Sequence, residues 1–129
     1  MRTVKLLIAF DGSGYCGWQR QKNGLSIQEE IERALSIICN TEIILHGAGR
    51  TDAGVHALGQ VISFHSSSRL EVEEICRALN ARTPRDIAVR EVREVPVGFH
   101  AIRDAVSKRY RYVIDDHRTP DVFQRHYAW

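Results

Sequence analysis

The chain has 129 residues, 43% hydrophobic and 26% charged, with a net charge of only +2. These figures describe one soluble domain with a core of its own and exclude a disordered chain, which needs low hydrophobicity and high net charge. The longest apolar run, Leu6-Leu7-Ile8-Ala9-Phe10, is five residues, too short for a bilayer span and better suited to a first strand than to a secretory signal. Three cysteines (Cys16, Cys39, Cys76) at wide spacing with no Cys-x-x-Cys pair argue against a disulfide framework or a zinc ribbon and fit a reducing cytoplasm.

Residues 3–10 place Val4, Leu6, Ile8 and Phe10 on one face with Lys5 and Leu7 opposite, which predicts a strand. Asp11-Gly12-Ser13-Gly14 breaks it with turn residues. Ser26 and Glu29 then have the spacing of a capping box, and Ile27, Ile31, Leu35 and Ile38 form the buried stripe of a helix that Asn40 can stop. A short β-branched run at 41–45 predicts the next strand, and a glycine-bearing loop covers 46–59. Residues 60–66 read as a strand with Ile62 and Phe64 on one face. Ser68 and Glu71 repeat the capping-box spacing ahead of a second helix carrying Leu70, Val72, Ile75 and Leu79; strands at 87–95 and about 107–115 follow. The order β-α-β-β-α-β plus one strand predicts an α+β, ferredoxin-like domain spanning 1–129: an antiparallel sheet with both helices on one face. The opposite face is the one on which nucleic-acid-binding relatives of this architecture hold RNA through aromatics and cations.

Three segments carry candidate chemistry. In residues 46–57, three glycines within eight positions allow close backbone approach around Arg50-Thr51-Asp52. Asp52, held ionised by Arg50, suits a nucleophile, a base or a loop-closing hydrogen-bond acceptor. No Lys-Ser/Thr follows the glycines, so the loop is not a phosphate loop, and neither His56 nor His65 has metal-ligand spacing. The basic segment 103–112 ends in Lys108-Arg109-Tyr110-Arg111-Tyr112, where a strand would set Tyr110 and Tyr112 on one face and Arg109 and Arg111 on the other. That pattern serves rings stacking on bases and guanidinium groups taking phosphates, or equally two tyrosines buried beneath a solvated basic face. In residues 10–21, Trp18, Gln19 and Arg20 sit in a loop that reads as a recognition surface, with Trp18 alternatively an anchor tucked beneath it.

Together and in this order, the segments resemble the tRNA pseudouridine synthase A family. Gly47-Ala-Gly-Arg-Thr-Asp-Ala-Gly-Val-His-Ala57 is similar to that family's catalytic motif, and Tyr15-Cys-Gly-Trp-Gln-Arg-Gln21 and Tyr110-Arg-Tyr112 match in type and order. One departure stands out: where the family commonly has Phe-His-Ala-Arg followed by an aromatic, this chain reads Phe99-His100-Ala101-Ile102-Arg103.

The resemblance implies an isomerase that converts uridines of the tRNA anticodon stem-loop to pseudouridine. Asp52 would be the nucleophile, attacking ribose C1′ or uracil C6. Arg50 would fill the place vacated by the target nucleotide or steady the flipped phosphate, and Tyr110 would stack on the uracil. Trp18, Gln19, Arg20, Arg109 and Arg111 would face the RNA. No cofactor and no metal are implied, because the reaction transfers no group and no electrons. The partners implied are tRNA and, in the full-length protein, a second copy of the chain. The resemblance covers the first half of the family's catalytic domain, so the chain alone is expected to be inactive or weakly active. The apolar ending His126-Tyr127-Ala128-Trp129 agrees with a cut inside a longer protein. The alternative is a non-catalytic RNA-binding module of the same fold, which calls for aromatics on the central strands; Phe64 and Tyr110 are its candidates.

Overall fold

The computed structural model describes residues 1–19, 24–47, 54–99, 101, 114, 118–119 and 122–124. The elements are β1 (Arg2–Phe10), α1 (Ile27–Ile38), β2 (His46–Gly47), β3 (Ala57–Ser66), α2 (Val72–Arg82) and β4 (Ile87–Val95), with 3-10 turns at Gly12–Gly14 and Val122–Gln124. The sheet runs β2-β3-β1-β4, and every pairing is antiparallel. With two helices, this is the α+β, ferredoxin-like architecture.

Strand alternation sorts the residues as the pattern predicts. Val4, Leu6 and Ile8 are fully buried and meet Ile31 and Leu35 of α1 and Ile75 and Leu79 of α2 in one core, so both helices lie on the same side of the sheet. Ser26 caps α1 by accepting from the Glu29 amide at 3.2 Å, which satisfies one of the helix's unpaired N–H groups. Beyond Ile38, Asn40 takes φ 52° and the helix stops.

Three local expectations are corrected. Residues 41–45 are not a strand: Ser36 Oγ accepts from the Ile43 amide at 3.1 Å and Glu32 Oε2 from the Leu45 amide at 2.9 Å. Side chains of α1 thus take donors that a neighbouring strand would have taken, and pairing begins only at His46 opposite Ser63. The second capping box does not form either. Ser68 Oγ accepts from Leu70 within a turn, and α2 starts one residue after Glu71, which makes no side-chain cap. Finally, Phe64 is fully buried and pairs opposite Val4, so it belongs to the core and not to the open face. The strand expected at 107–115 lies outside the described residues except for Ile114, which is exposed.

The sheet face away from the helices carries Lys5 and Leu7 of β1 beside Glu91 and Arg93 of β4, around a shallow hollow of about 50 Å³. At its upper end the chain after β4 folds back over it: Thr3 Oγ1 donates to Val97 O, Ser63 Oγ accepts from the Ala101 amide, and Phe99 lies 5.9 Å from the Lys5 ammonium. At its lower end β4 bulges. The pairing with β1 skips Arg90, and Asn80 of α2 brackets Val89 with two hydrogen bonds of 2.8 and 2.9 Å. The bulge lets Arg90 donate to Leu58 O at 2.7 Å, at the start of β3.

Candidate active site

Arg50 and Asp52 fall in residues 48–53, outside the described residues, as do Arg20, Arg109, Tyr110 and Arg111. The two strands from which their loop departs lie within the described residues. Gly47 closes β2, and Gly54-Val55-His56 leads into β3. Both ends rest on one segment, residues 11–18.

At the first end, the Trp18 indole packs directly against the Gly47 backbone. A Cβ on Gly47 would meet the indole at 2.7 Å from Nε1 and 2.9 Å from Cε2. Trp18 is 4% exposed and stacks on Phe10, with ring centroids 6.5 Å apart and planes inclined by 25°. Of the two roles open to it from sequence, Trp18 is seen in that of the anchor, with its ring turned away from solvent, whereas Gln19 beside it is exposed.

At the second end, Gly12 touches Val55 so closely that a Cβ would sit 2.0 Å from Val55 O. The Gly12 amide lies 2.9 Å from His56 Nδ1, and Asp11 Oδ1 lies 3.2 Å from the same nitrogen. One ring nitrogen cannot accept from the amide and donate to the carboxylate together. The amide contact is the shorter, and Asp11 Oδ1 already accepts from the Ser13 amide at 3.0 Å. With the Gly12 amide hydrogen directed at it, Nδ1 is assigned as the acceptor of that bond. Gly54, between Asp52 and His56, takes φ 80°, a left-handed conformation that suits glycine.

The 11–18 segment is itself fastened on two sides. Asp86, just before β4, accepts from the Asp11 amide through its carbonyl at 2.8 Å and from the Tyr15 hydroxyl through its carboxylate at 2.7 Å. Tyr15 is buried, and burial, then the bond to Asp86 and the neighbouring negative charge, keep its phenol protonated far above the usual tyrosine range. On the other side the chain pairs with the start of α1: Cys16 N to Leu25 O, Ile27 N to Gly17 O and Gln28 N to Trp18 O, at 2.9 to 3.2 Å.

Sequence reasoning missed Gly12, Gly47 and His56 as parts of this arrangement. The available signal lay in the glycines. Neither Gly12 nor Gly47 has a positive φ, so each is needed for close approach, and close approach names no partner in the sequence. Among the described residues no group of three or more His, Cys, Asp or Glu could hold a metal ion, and no helix is long and apolar enough to cross a membrane.

A family model described as tRNA pseudouridine synthase matches residues 6–103. The chain is 47% identical along its whole length to tRNA pseudouridine synthase A of Geobacter sp. (strain M21), covering 52% of that protein. It is 49% identical, again along its whole length, to the protein of the same name from Moorella thermoacetica, covering 53% of it. The chain thus spans about half the length of the curated relatives it matches. Loop, mount and family model fall on the same residues, and the chain belongs to the tRNA pseudouridine synthase family.

Proposed function

We propose that the chain is the first half of the catalytic domain of a tRNA pseudouridine synthase acting on uridines of the anticodon stem-loop, with Asp52 as nucleophile. The observation that carries this reading is the two-ended mount: Trp18 against Gly47 and Gly12 against Val55 and His56 hold both strands that bear the Arg50-Thr51-Asp52 loop. A loop fixed at both ends suits a carboxylate that must meet a base swung out of its stack.

The reaction breaks the bond from uracil N1 to ribose C1′, turns the base and joins C5 to C1′; the C5 proton leaves and N1 takes one up. A carboxylate that adds and departs divides this into easier steps. Extruding the base costs roughly a few kcal/mol, and stacking by Tyr110, worth about 1–3 kcal/mol per base in single-strand binders, offsets much of it. Arg50 steadies the flipped phosphate or occupies the vacated place. Gln19, Arg20, Arg109 and Arg111 contact the RNA around it. Trp18 serves the RNA surface from beneath, by holding β2. The second half of the cleft comes from the remainder of the family's length, and the working form is a homodimer in the cytoplasm.

The test is tritium release from a tRNA transcript labelled at uridine C5. It is run with this chain alone and with this chain joined to the second half of the Geobacter sp. relative. Release in either format that vanishes in Asp52→Asn, with tRNA binding retained, supports the reading. No release in either format overturns it, and release undiminished in Asp52→Asn overturns the nucleophile.

A further inference from the structure

We propose that His56 is a positioning residue for the nucleophile loop: its Nδ1 is the acceptor that locks the exit of that loop to the Gly12 amide, and it acts on catalysis through Asp52 without touching substrate. The inference rests on the reading of Asp52 just given and adds to it a residue and a ring atom.

Four observations converge on the ring. His56 stands four residues after Asp52 and one before β3 begins. Its Nδ1 meets the Gly12 amide at 2.9 Å across 44 residues of sequence. The Gly12 backbone presses on Val55 O so closely that only a hydrogen fits where a Cβ would stand. Gly12 opens the 3-10 turn that Asp11 caps and Asp86 tethers to the start of β4. The ring is therefore the polar half of a joint whose other half is steric contact. Without the nitrogen, the Gly12 amide loses an acceptor inside the joint, and the exit strand can slide against the segment that fixes it. A displacement of about 1 Å at a reacting group costs on the order of a hundredfold in rate, so a small slip suffices.

The two ring nitrogens make the proposal separable from a direct catalytic role. Asparagine carries its amide oxygen near the place of Nδ1, glutamine carries its polar group near the place of Nε2, and phenylalanine keeps the ring without either. Positioning through Nδ1 predicts that His56→Asn is tolerated and that His56→Gln and His56→Phe are not.

The first readout needs no turnover. Amide hydrogen exchange at Gly12, measured on this chain, should stay near wild type in His56→Asn and accelerate by about tenfold or more in His56→Phe and His56→Gln, with helix α2 unaffected. The second uses the two activity formats above: kcat should fall by roughly ten- to a hundredfold in His56→Phe and His56→Gln while KM shifts less than about threefold, and His56→Asn should stay within about threefold of wild type. Unchanged Gly12 exchange in His56→Phe overturns the proposal. So does a series in which His56→Gln is active and His56→Asn is not, which would put the Nε2 edge on the substrate. Wild-type turnover with an indifferent series at position 56 overturns this proposal alone, whereas no wild-type turnover in either format overturns it together with the reading on which it rests.

Discussion

Replacing Gly47 with alanine adds one methyl group at the entrance to the nucleophile loop, and the structure says where it would go. The new carbon would lie 2.7 Å from Trp18 Nε1, 2.9 Å from Cε2 and 3.1 Å from Cζ2, all inside ordinary van der Waals separation. The indole has nowhere to retreat. It is 4% exposed, Phe10 stacks on it, and the Trp18 carbonyl accepts from Gln28 N at 3.0 Å in the first turn of α1.

Forcing a methyl into a packed site costs about 1–3 kcal/mol. A 2.7 Å approach to a buried, rigid ring belongs in the upper part of that range, about 2–3 kcal/mol. Stiffening of the unfolded chain by Gly→Ala returns roughly 0.4–1 kcal/mol. The net loss is about 1–2.6 kcal/mol, which for a domain of this size lowers Tm by roughly 3–13 °C. Thermal unfolding followed by far-ultraviolet circular dichroism reads it directly. Trp18→Phe removes the part of the indole that the methyl strikes, so the double variant should be less destabilised than the two single losses together, by at least about 0.5 kcal/mol. Gly47→Ala melting with wild type, or strict additivity in the double variant, would refute the claim that Trp18 seats this end of the loop.

The other parts of the mount and the helix caps have their own expected outcomes. Glu32→Ala removes the carboxylate that accepts from the buried Leu45 amide and should cost about 1–3 kcal/mol in urea unfolding, while Glu32→Gln, which keeps an acceptor oxygen, should cost less. Ser26→Ala should cost about 1 kcal/mol through loss of the α1 cap. For Tyr15 the sign runs against alkali. Its folded-state pKa is raised by burial and by the bond to Asp86, whereas the unfolded phenol ionises near about pH 10. The contribution is therefore complete below that pH and drains away above it, since the unfolded chain gives up the proton first. Stability measured against pH should show the gap between wild type and Tyr15→Phe narrowing above about pH 10; a gap that widens there would contradict the assignment.

Periodicity revealed the parts of this fold that depend on neighbours in sequence. The alternation of Val4, Leu6, Ile8 and Phe10, the stripe of α1 with its Ser26 cap, and the strand Ile87–Val95 all follow from which side chains water excludes. The errors came where a distant group outbid the local pattern. Ile43 and Leu45 look like strand residues, yet Ser36 and Glu32 of α1 take their amides. For Trp18 the sequence left recognition and anchoring both open, and the missing side chain of Gly47, 29 positions on, makes the room underneath that the anchor needs. Asp52 and Arg50 stood out through their glycine-rich setting and their resemblance to a known motif. His56 did not, because its significance lies in one hydrogen bond to a backbone amide 44 residues away, and nothing in a sequence marks an amide as needing an acceptor.

The most direct test is a map of pseudouridine in an unmodified tRNA transcript after incubation with this chain joined to the second half of its Geobacter sp. relative. The map is read as reverse-transcription stops at carbodiimide adducts, with Asp52→Asn in parallel. The account predicts new stops confined to uridines of the anticodon stem-loop and absent with the variant. Stops elsewhere would contradict the substrate assignment, stops that persist in Asp52→Asn would contradict the nucleophile, and no stops at all would contradict the proposed activity itself.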